Sequence, residues 1–368
     1  MQNKRKLIAC LALLLFGTIG TQLGAQPADY EQTAIAQAAA NAKPGPRQAP
    51  ARTMPVPTAD VSPQEQALIG APYQAIFNSE PKDAAGWKNF VNGIAAANVP
   101  IVQTLEGKFA VSVTPTMIAG VKAFIVAPAT TPERNRNRLL VNVHGGGYVL
   151  FPGESGLGEA VLMAGFGGFK VISIDYRMPP DFPFPAAMDD AMTVWKEVVK
   201  TTDPQNMAIF GTSTGGGMTL AMILRAKDEH LPLPAAIAPG TPWSDLTDTG
   251  DSYETNEWVD NVLVTWYGWL GRAAKLYAAG HDLKEPQLSP VYGDFSGFPP
   301  TILTTGTRDL FLSNTVRVHR KLRRTGVEAD LNVYEGQSHA QYLFNPDAPE
   351  TREVFTDIAN FFDKHMGK

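Results

Sequence analysis

Apolar residues recur along this chain in two rhythms. Short, almost unbroken runs occupy Leu139-Leu140-Val141-Asn142-Val143, Lys170-Val171-Ile172-Ser173-Ile174, Met207-Ala208-Ile209-Phe210, Ala235-Ala236-Ile237-Ala238 and Thr301-Ile302-Leu303-Thr304-Thr305. Runs of this kind predict strands buried on both faces, as in a parallel sheet. Asp330 to Tyr334 predicts a last strand. Phe109 to Val113 and Val121 to Val126 alternate instead, which predicts an antiparallel entry to the sheet. Helical spacing marks Ala186–Val199, Met218–Ala226, Ser313–Thr325 and Glu350–His365. Strands alternating with helices imply an α/β fold: a mostly parallel eight-stranded sheet with helices on both faces.

Two helices are expected before the first strand. Ser62-Pro63-Gln64-Glu65 reads as a helix start, with Ser as cap and Pro at the first helical position, and Pro72 ends or kinks it. Pro81 to Ala97 places Trp87, Phe90, Val91 and Ile94 on one face. Asp251 to Ala279 is also expected to be helical, with Trp258, Trp266, Tyr267 and Trp269. Helices outside the sheet pattern suggest a cap.

The N-terminus reads as a targeting segment. Lys4-Arg5-Lys6 precedes an apolar stretch from Leu7 to Ile19, too short to span a bilayer comfortably, and cleavage is expected after Ala25. Residues 1–25 are then a signal peptide, and an exported, periplasmic or extracellular protein is expected. The single cysteine, Cys10, lies inside the signal, so the exported chain uses neither disulfides nor a Cys nucleophile. Residues 26–60, rich in Ala, Gln and Pro, read as a flexible linker. Residues 61–368 are expected to form the folded α/β domain. Of the 368 residues, 44% are apolar, enough for a sizeable core, and the net charge of −5 provides no basic footprint for nucleic acid. No stable membrane insertion is expected once the signal is removed. The oligomeric state is not fixed, and a homodimer is left open.

The chemistry lies on loops that follow strands. Gly211-Thr212-Ser213-Thr214-Gly215 stands between a strand and a helix, where a serine on a sharp turn projects over the sheet edge. His144-Gly145-Gly146-Gly147-Tyr148 follows the strand ending at Val143, and consecutive glycines can turn N–H groups toward a developing oxyanion. His144 precedes the nucleophile and is read as orienting the loop. A serine hydroxyl needs a base. Of six histidines, His339 follows the last strand, whereas His230, His281, His319 and His365 read as surface residues. Asp309, after the Thr301–Thr305 strand, is the acid favoured by position over Asp245 and Asp294. The order Ser213, Asp309, His339 is the one expected of an α/β-hydrolase.

These motifs resemble the hormone-sensitive lipase family of α/β-hydrolase carboxylesterases, of bacterial type. His144 to Gly147, Asp175-Tyr176-Arg177-Met178-Pro179-Pro180 with Phe184-Pro185-Ala186-Ala187, and Gly211 to Gly216 carry the resemblance, which covers roughly Leu139 to the C-terminus. It implies the α/β-hydrolase fold and a cap formed by 61–99 and about 251–279. There are two departures. The family usually has Asp-Ser-Ala at the elbow, where this chain has Thr212-Ser213-Thr214, and the β-branched Thr214 is expected to narrow the pocket. Asn314 stands where relatives often carry an acid.

The expected activity is that of a serine carboxylesterase acting on small-molecule esters of short to medium acyl chain, the chain length being implied by the resemblance. Ser213, Asp309 and His339 are its triad. Gly145, Gly146, Gly147 and Thr214 are its oxyanion donors. Tyr148, Trp258 and Trp266 are candidates for the pocket wall, beside the alternative of plain core packing. A lactone hydrolase with the same machinery is the alternative, and a non-catalytic ligand-binding protein on this fold is disfavoured because all three triad residues are present. No cofactor is implied. No His-x-x-Glu-His spacing supports a metal site.

Overall fold

The computed structural model describes residues 27–41 and 44–367. The expected signal peptide over 1–25, with Cys10, lies outside them. Contacts divide the chain into two units, 1–55 and 56–368. In the first, α1 (Pro27–Ala40) stands within the stretch expected to be a linker. Its alanines and glutamines favour helix even though they bury little. The Asn41 side-chain amide donates to the Gln48 carbonyl at 2.9 Å.

The second unit begins with α2 (Pro63–Ile69) and α3 (Ala84–Phe109). Ser62 caps α2 as expected, accepting from the Glu65 N–H. There follow β1 (Val111–Ile118), β2 (Val121–Pro128), β3 (Leu139–Val143), α4 (Gly158–Gly167), β4 (Lys170–Ile174) and α5 (Ala186–Val198). The chain continues with β5 (Met207–Thr212), α6 (Thr214–Asp228), β6 (Ala236–Gly240), α7 (Ser252–Thr255) and α8 (Trp269–Ala278). It closes with β7 (Thr301–Gly306), α9 (Leu312–Arg324), β8 (Ala329–Tyr334) and α10 (Pro349–His365). Among the described residues, eight strands form one sheet in the order β1-β2-β4-β3-β5-β6-β7-β8. The β1–β2 and β2–β4 pairs are antiparallel and the rest parallel.

Strand residues alternate between two cores. Val141, Val143, Ile209 and Leu303 face one, and Leu140, Ala208, Phe210 and Ile302 the other. Both faces are covered, so the runs are apolar throughout. The order β4-β3-β5 matters most for function. The chain runs from β3 to β4 on one side, then returns across β3 to β5 on the other. Loops leaving the C-terminal ends of β3 and β5 part over opposite faces, and a crevice opens between them.

Three elements depart from expectation. First, α3 runs on through Pro100 to Phe109, where a strand start was expected. Ala110, at φ 50°, stops it, and Phe109 packs edge-on against Phe166 at 4.7 Å. That approach requires Gly165, since a Cβ there would lie 2.5 Å from the Phe109 ring. Second, α4 is not foreseen from the periodicity. It is enclosed by α3 and α10 and buries Ala160 through Ala164 without a polar face, so it has no amphipathic signal. Third, residues 256–268 are turns, not helix. Asp260 takes the N–H groups of Val262 and Leu263 at 2.8 and 3.0 Å, and Thr265 takes that of Tyr267 at 3.1 Å. Side chains have captured the donors a helix needs.

Candidate active site

Register brings the expected loops together before any side chain is considered. β3 lies beside β5, with Asn142 opposite Phe210. The glycine loop after β3 therefore neighbours the serine turn after β5. In the same way β7 lies beside β8, with Gly306 opposite Tyr334, so the Asp309 and His339 loops are neighbours. Backbone bonds stitch the latter pair together, Thr307 N–H to Tyr334 O and Arg308 N–H to Gln337 O, both at 3.0 Å.

Ser213 sits at φ 64°, ψ −123°, a strained conformation for a side-chain-bearing residue. The turn is held by its own N–H to Gly240 O and by Trp243 N–H to Ser213 O, both 2.9 Å. It closes only because its neighbours are small. A Cβ on Gly215 would lie 1.9 Å from Val143 O. α6 starts at the next residue, so the Thr214 N–H is a first-turn donor with no acceptor inside the helix. Thr214 itself is fully buried, with its side chain beside Tyr176.

Beneath the turn lies a buried polar group not expected from the sequence. Glu159 of α4 accepts from Thr212 Oγ1 at 2.6 Å and from Thr212 N–H at 3.1 Å. Asn142 adds a donor at 3.3 Å, and Tyr342 OH meets Thr212 Oγ1 at 2.7 Å. Burial pushes the Glu159 carboxyl up to about 7, against the pull of those hydrogen bonds. α4 thus supplies a carboxyl group to Thr212, the residue before Ser213. The signal in the sequence is a lone acid leading an apolar stretch, Glu159-Ala160-Val161-Leu162-Met163.

The glycine loop packs on the turn. A Cβ on Gly145 would lie 2.7 Å from Thr212 O. Gly146 and Gly147 take φ values of 116° and 66°, open to glycine at little cost. His144 is buried and stacked on Tyr176 at 4.3 Å. Its Nδ1 lies 2.7 Å from Gly145 O, so it donates there. Burial pushes this imidazole down, toward the neutral form. The expected loop-orienting role fits these contacts.

His339 and Asp309 meet directly, Nδ1 to Oδ1 at 2.9 Å, with both residues buried. Asp309 also accepts from Phe311 N–H at 2.8 Å and Thr305 Oγ1 at 2.7 Å. These bonds leave the carboxylate oriented and the imidazole held in one tautomer. His339 Nε2 has no hydrogen-bond partner among the described residues. Ser213 and His339 border the same aromatic pair. Trp243, bonded to the serine carbonyl, stacks on Phe311 at 5.3 Å, and Phe311 meets the His339 ring edge-on at 4.8 Å.

The other candidate acids are engaged elsewhere. Asp245 accepts from Arg317 at 2.7 Å and Tyr292 OH at 2.8 Å, and Asp294 is bonded to Ser296 and Lys227. Asn314 donates to Tyr253 OH at 3.0 Å. Of the expected wall residues, Tyr148 is buried and stacked on Tyr277 at 3.8 Å. Trp258 is 53% exposed and packs with Tyr73 and Phe77, while Trp266 packs with Tyr267 under Lys275. It is Trp269, at the start of α8, that lies on the glycine loop: a Cβ on Gly147 would be 2.7 Å from its ring. An open cleft of about 480 Å³, lined by Lys122, Tyr176, Arg177 and Phe182 among others, includes none of Ser213, Asp309 or His339.

A family model described as alpha/beta hydrolase fold matches residues 140–343. The chain belongs to the alpha/beta hydrolases, in their hormone-sensitive lipase family. This hydrolase is 40% identical to a protein whose crystal structure is that of an esterase, with a TM-score of 0.84, covering 87% of this chain and 98% of that one. A structure of an esterase from the bacterial hormone-sensitive lipase family matches at 26% identity and a TM-score of 0.65, over 76% of this chain and 98% of the other. An acetyl-hydrolase of Streptomyces hygroscopicus is 29% identical over 63% of this hydrolase and 77% of its own length. An esterase of Acinetobacter venetianus is 28% identical over 68% and 82%.

Proposed function

We propose that this hydrolase cleaves carboxylic esters of short to medium acyl chain through an acyl-enzyme on Ser213. The enzyme class, carboxylic ester hydrolase, rests on its family and relatives; the route and the substrate range are our reading. One observation carries it. The buried His339–Asp309 bond of 2.9 Å orients an imidazole whose Nε2 is unpartnered among the described residues. His339 takes the proton of Ser213 as its oxygen attacks the ester carbonyl. Asp309 keeps Nδ1 protonated and stabilises the imidazolium. N–H groups of the Gly145–Gly147 loop and of Thr214 donate to the oxyanion; removing one such donor typically costs about 2.7–4 kcal/mol. His339 then returns the proton to the leaving alkoxide, and water releases the acid by the reverse sequence. A relative from Pseudomonas putida named ethyl acetate hydrolase, 29% identical over 62% of this chain and 73% of its own length, supports a small ester. We also propose that the protein is exported, on the strength of residues 4–25.

A fluorophosphonate should label wild-type enzyme at Ser213. Ser213→Ala should fold, escape labelling and hydrolyse p-nitrophenyl esters at near-background rate. Wild-type turnover in that variant would sink the reading, and a wild-type chain that does not label would indicate a binding protein. In a chain-length series run beside lactones, a preference for lactones would replace the ester assignment by the ring-opening one.

A further inference from the structure

The insertion between β6 and β7 does more than cover the sheet. Asp260, fully buried, accepts four backbone N–H groups. Oδ1 takes those of Val262 and Leu263 in its own loop, at 2.8 and 3.0 Å. Oδ2 takes Leu310 N–H at 2.8 Å and His339 N–H at 3.3 Å. Leu310 follows Asp309, so a single oxygen joins the loop of the acid to the loop of the base. Neighbours reinforce the join. Asn256 donates to Asp309 O at 2.8 Å and Thr307 O at 3.2 Å. Asn261 N–H donates to Ser338 Oγ at 3.1 Å, and Gln341 donates to Asn261 Oδ1 at 2.8 Å.

This arrangement has a cost that only a carboxylate explains. An asparagine carries one oxygen and one amide nitrogen, and the nitrogen would face N–H donors in place of an acceptor. The charged groups acting on Asp260 are Asp309, from the loop after β7, and His339, from the loop after β8. Burial first, and the Asp309 charge second, push the Asp260 carboxyl up to about 6. A second carboxylate beside the triad acid is unfavourable in the resting state. It becomes favourable when positive charge forms on the imidazole.

We propose that Asp260 is a positioning residue of the catalytic centre, holding the acid and base loops in register and favouring, through its charge, the imidazolium formed on His339. The proposal rests on the reading of His339 as base, and the experiment separates the two. Turnover is expressed per site titrated by the fluorophosphonate, so a variant that folds only in part is still read. Wild-type enzyme that fails to label refutes the parent reading. Given labelling, Asp260→Asn should lower kcat per site by about tenfold or more with KM nearly unchanged. It should also move the acid limb of kcat/KM to lower pH by roughly half a unit or more, because a nearby negative charge is gone. Asn256→Ala, which cuts a neutral tether to the Asp309 carbonyl of the same peptide unit whose Leu310 N–H Asp260 accepts, should leave that limb in place. Asp260→Glu should also leave the limb in place and lower kcat through displacement of the oxygen. The proposal is overturned if Asp260→Asn keeps wild-type kcat per site with an unmoved limb, or if Asn256→Ala moves the limb equally. If Asp260→Asn gives no labelled protein, Asp260→Glu decides: wild-type kcat per site there refutes the positional demand, and a lowered one upholds it.

Discussion

Thr212 donates its hydroxyl to Glu159 at 2.6 Å and its N–H to the same carboxylate at 3.1 Å. The residue before the nucleophile is thus clamped on both its side chain and its backbone by one residue of α4. Glu159→Gln would keep an oxygen for Thr212 N–H and Asn142, which share Oε2, but would set an amide nitrogen where Oε1 takes the Thr212 hydroxyl. That hydroxyl then has to turn toward Tyr342 and the charge-assisted bond is lost, a difference of about 1 kcal/mol. We expect kcat to fall by about tenfold with KM little changed, as the serine turn loosens. A steady-state comparison on one p-nitrophenyl ester checks this, and a kcat within twofold of wild type would remove Glu159 from the support of the turn.

Gly147 faces a double constraint. Its φ of 66° suits glycine, and a Cβ would lie 2.7 Å from the Trp269 ring. Gly147→Ala is expected to turn the loop's N–H groups off the oxyanion and to push Trp269 aside. kcat/KM should drop by roughly 10²–10³, the scale of a lost oxyanion donor, with a change in tryptophan emission. Unaltered kcat/KM would mean that this part of the loop does not contact the reacting carbonyl.

The expected catalytic loops are legible in the sequence because each follows a short buried strand, where fold and chemistry coincide. Ser213, His144–Gly147, Asp309 and His339 fall at strand ends that a parallel sheet aligns. Glu159, Asp260 and Asn261 are not legible in this way. Their roles depend on which loops meet across 50 to 80 positions of chain, as with Asp260 and Leu310 or His339. The 256–268 turns fail as a helix because the spacing of Trp258, Trp266 and Trp269 carries no sign of where Asp260 and Thr265 send their side chains, and Trp258 is in fact exposed. α4 is hidden for the opposite reason, since a helix buried all round carries no period.

Glu65 in α2 is fully buried, and neither carboxylate oxygen has a hydrogen-bond partner among the described residues. Burial, with help from the charge of Glu350, pushes it up to about 7. Its folded value lies above its unfolded one, so the proton is held more tightly in the fold. The stability it contributes is full below the unfolded value and is lost as pH rises through about 7. Glu65→Gln should therefore raise Tm at pH 8 by roughly 3–6 °C and leave it within about 1 °C near pH 4. Melting curves at both values test the sign, and a variant that melts lower at pH 8 would contradict it.

The join made by Asp260 and Asn261 bears on how this scaffold can be re-engineered. The segment between β6 and β7 invites exchange, since it lies outside the sheet and brings Trp269 onto the glycine loop at Gly147. Here that segment is not a detachable module. A transplanted insert lacking a carboxylate at 260 would arrive with its own wall and leave the acid and base loops untied. Libraries aimed at new substrates should vary Trp266 to Ala278 and leave Asn256 to Asn261 as they are.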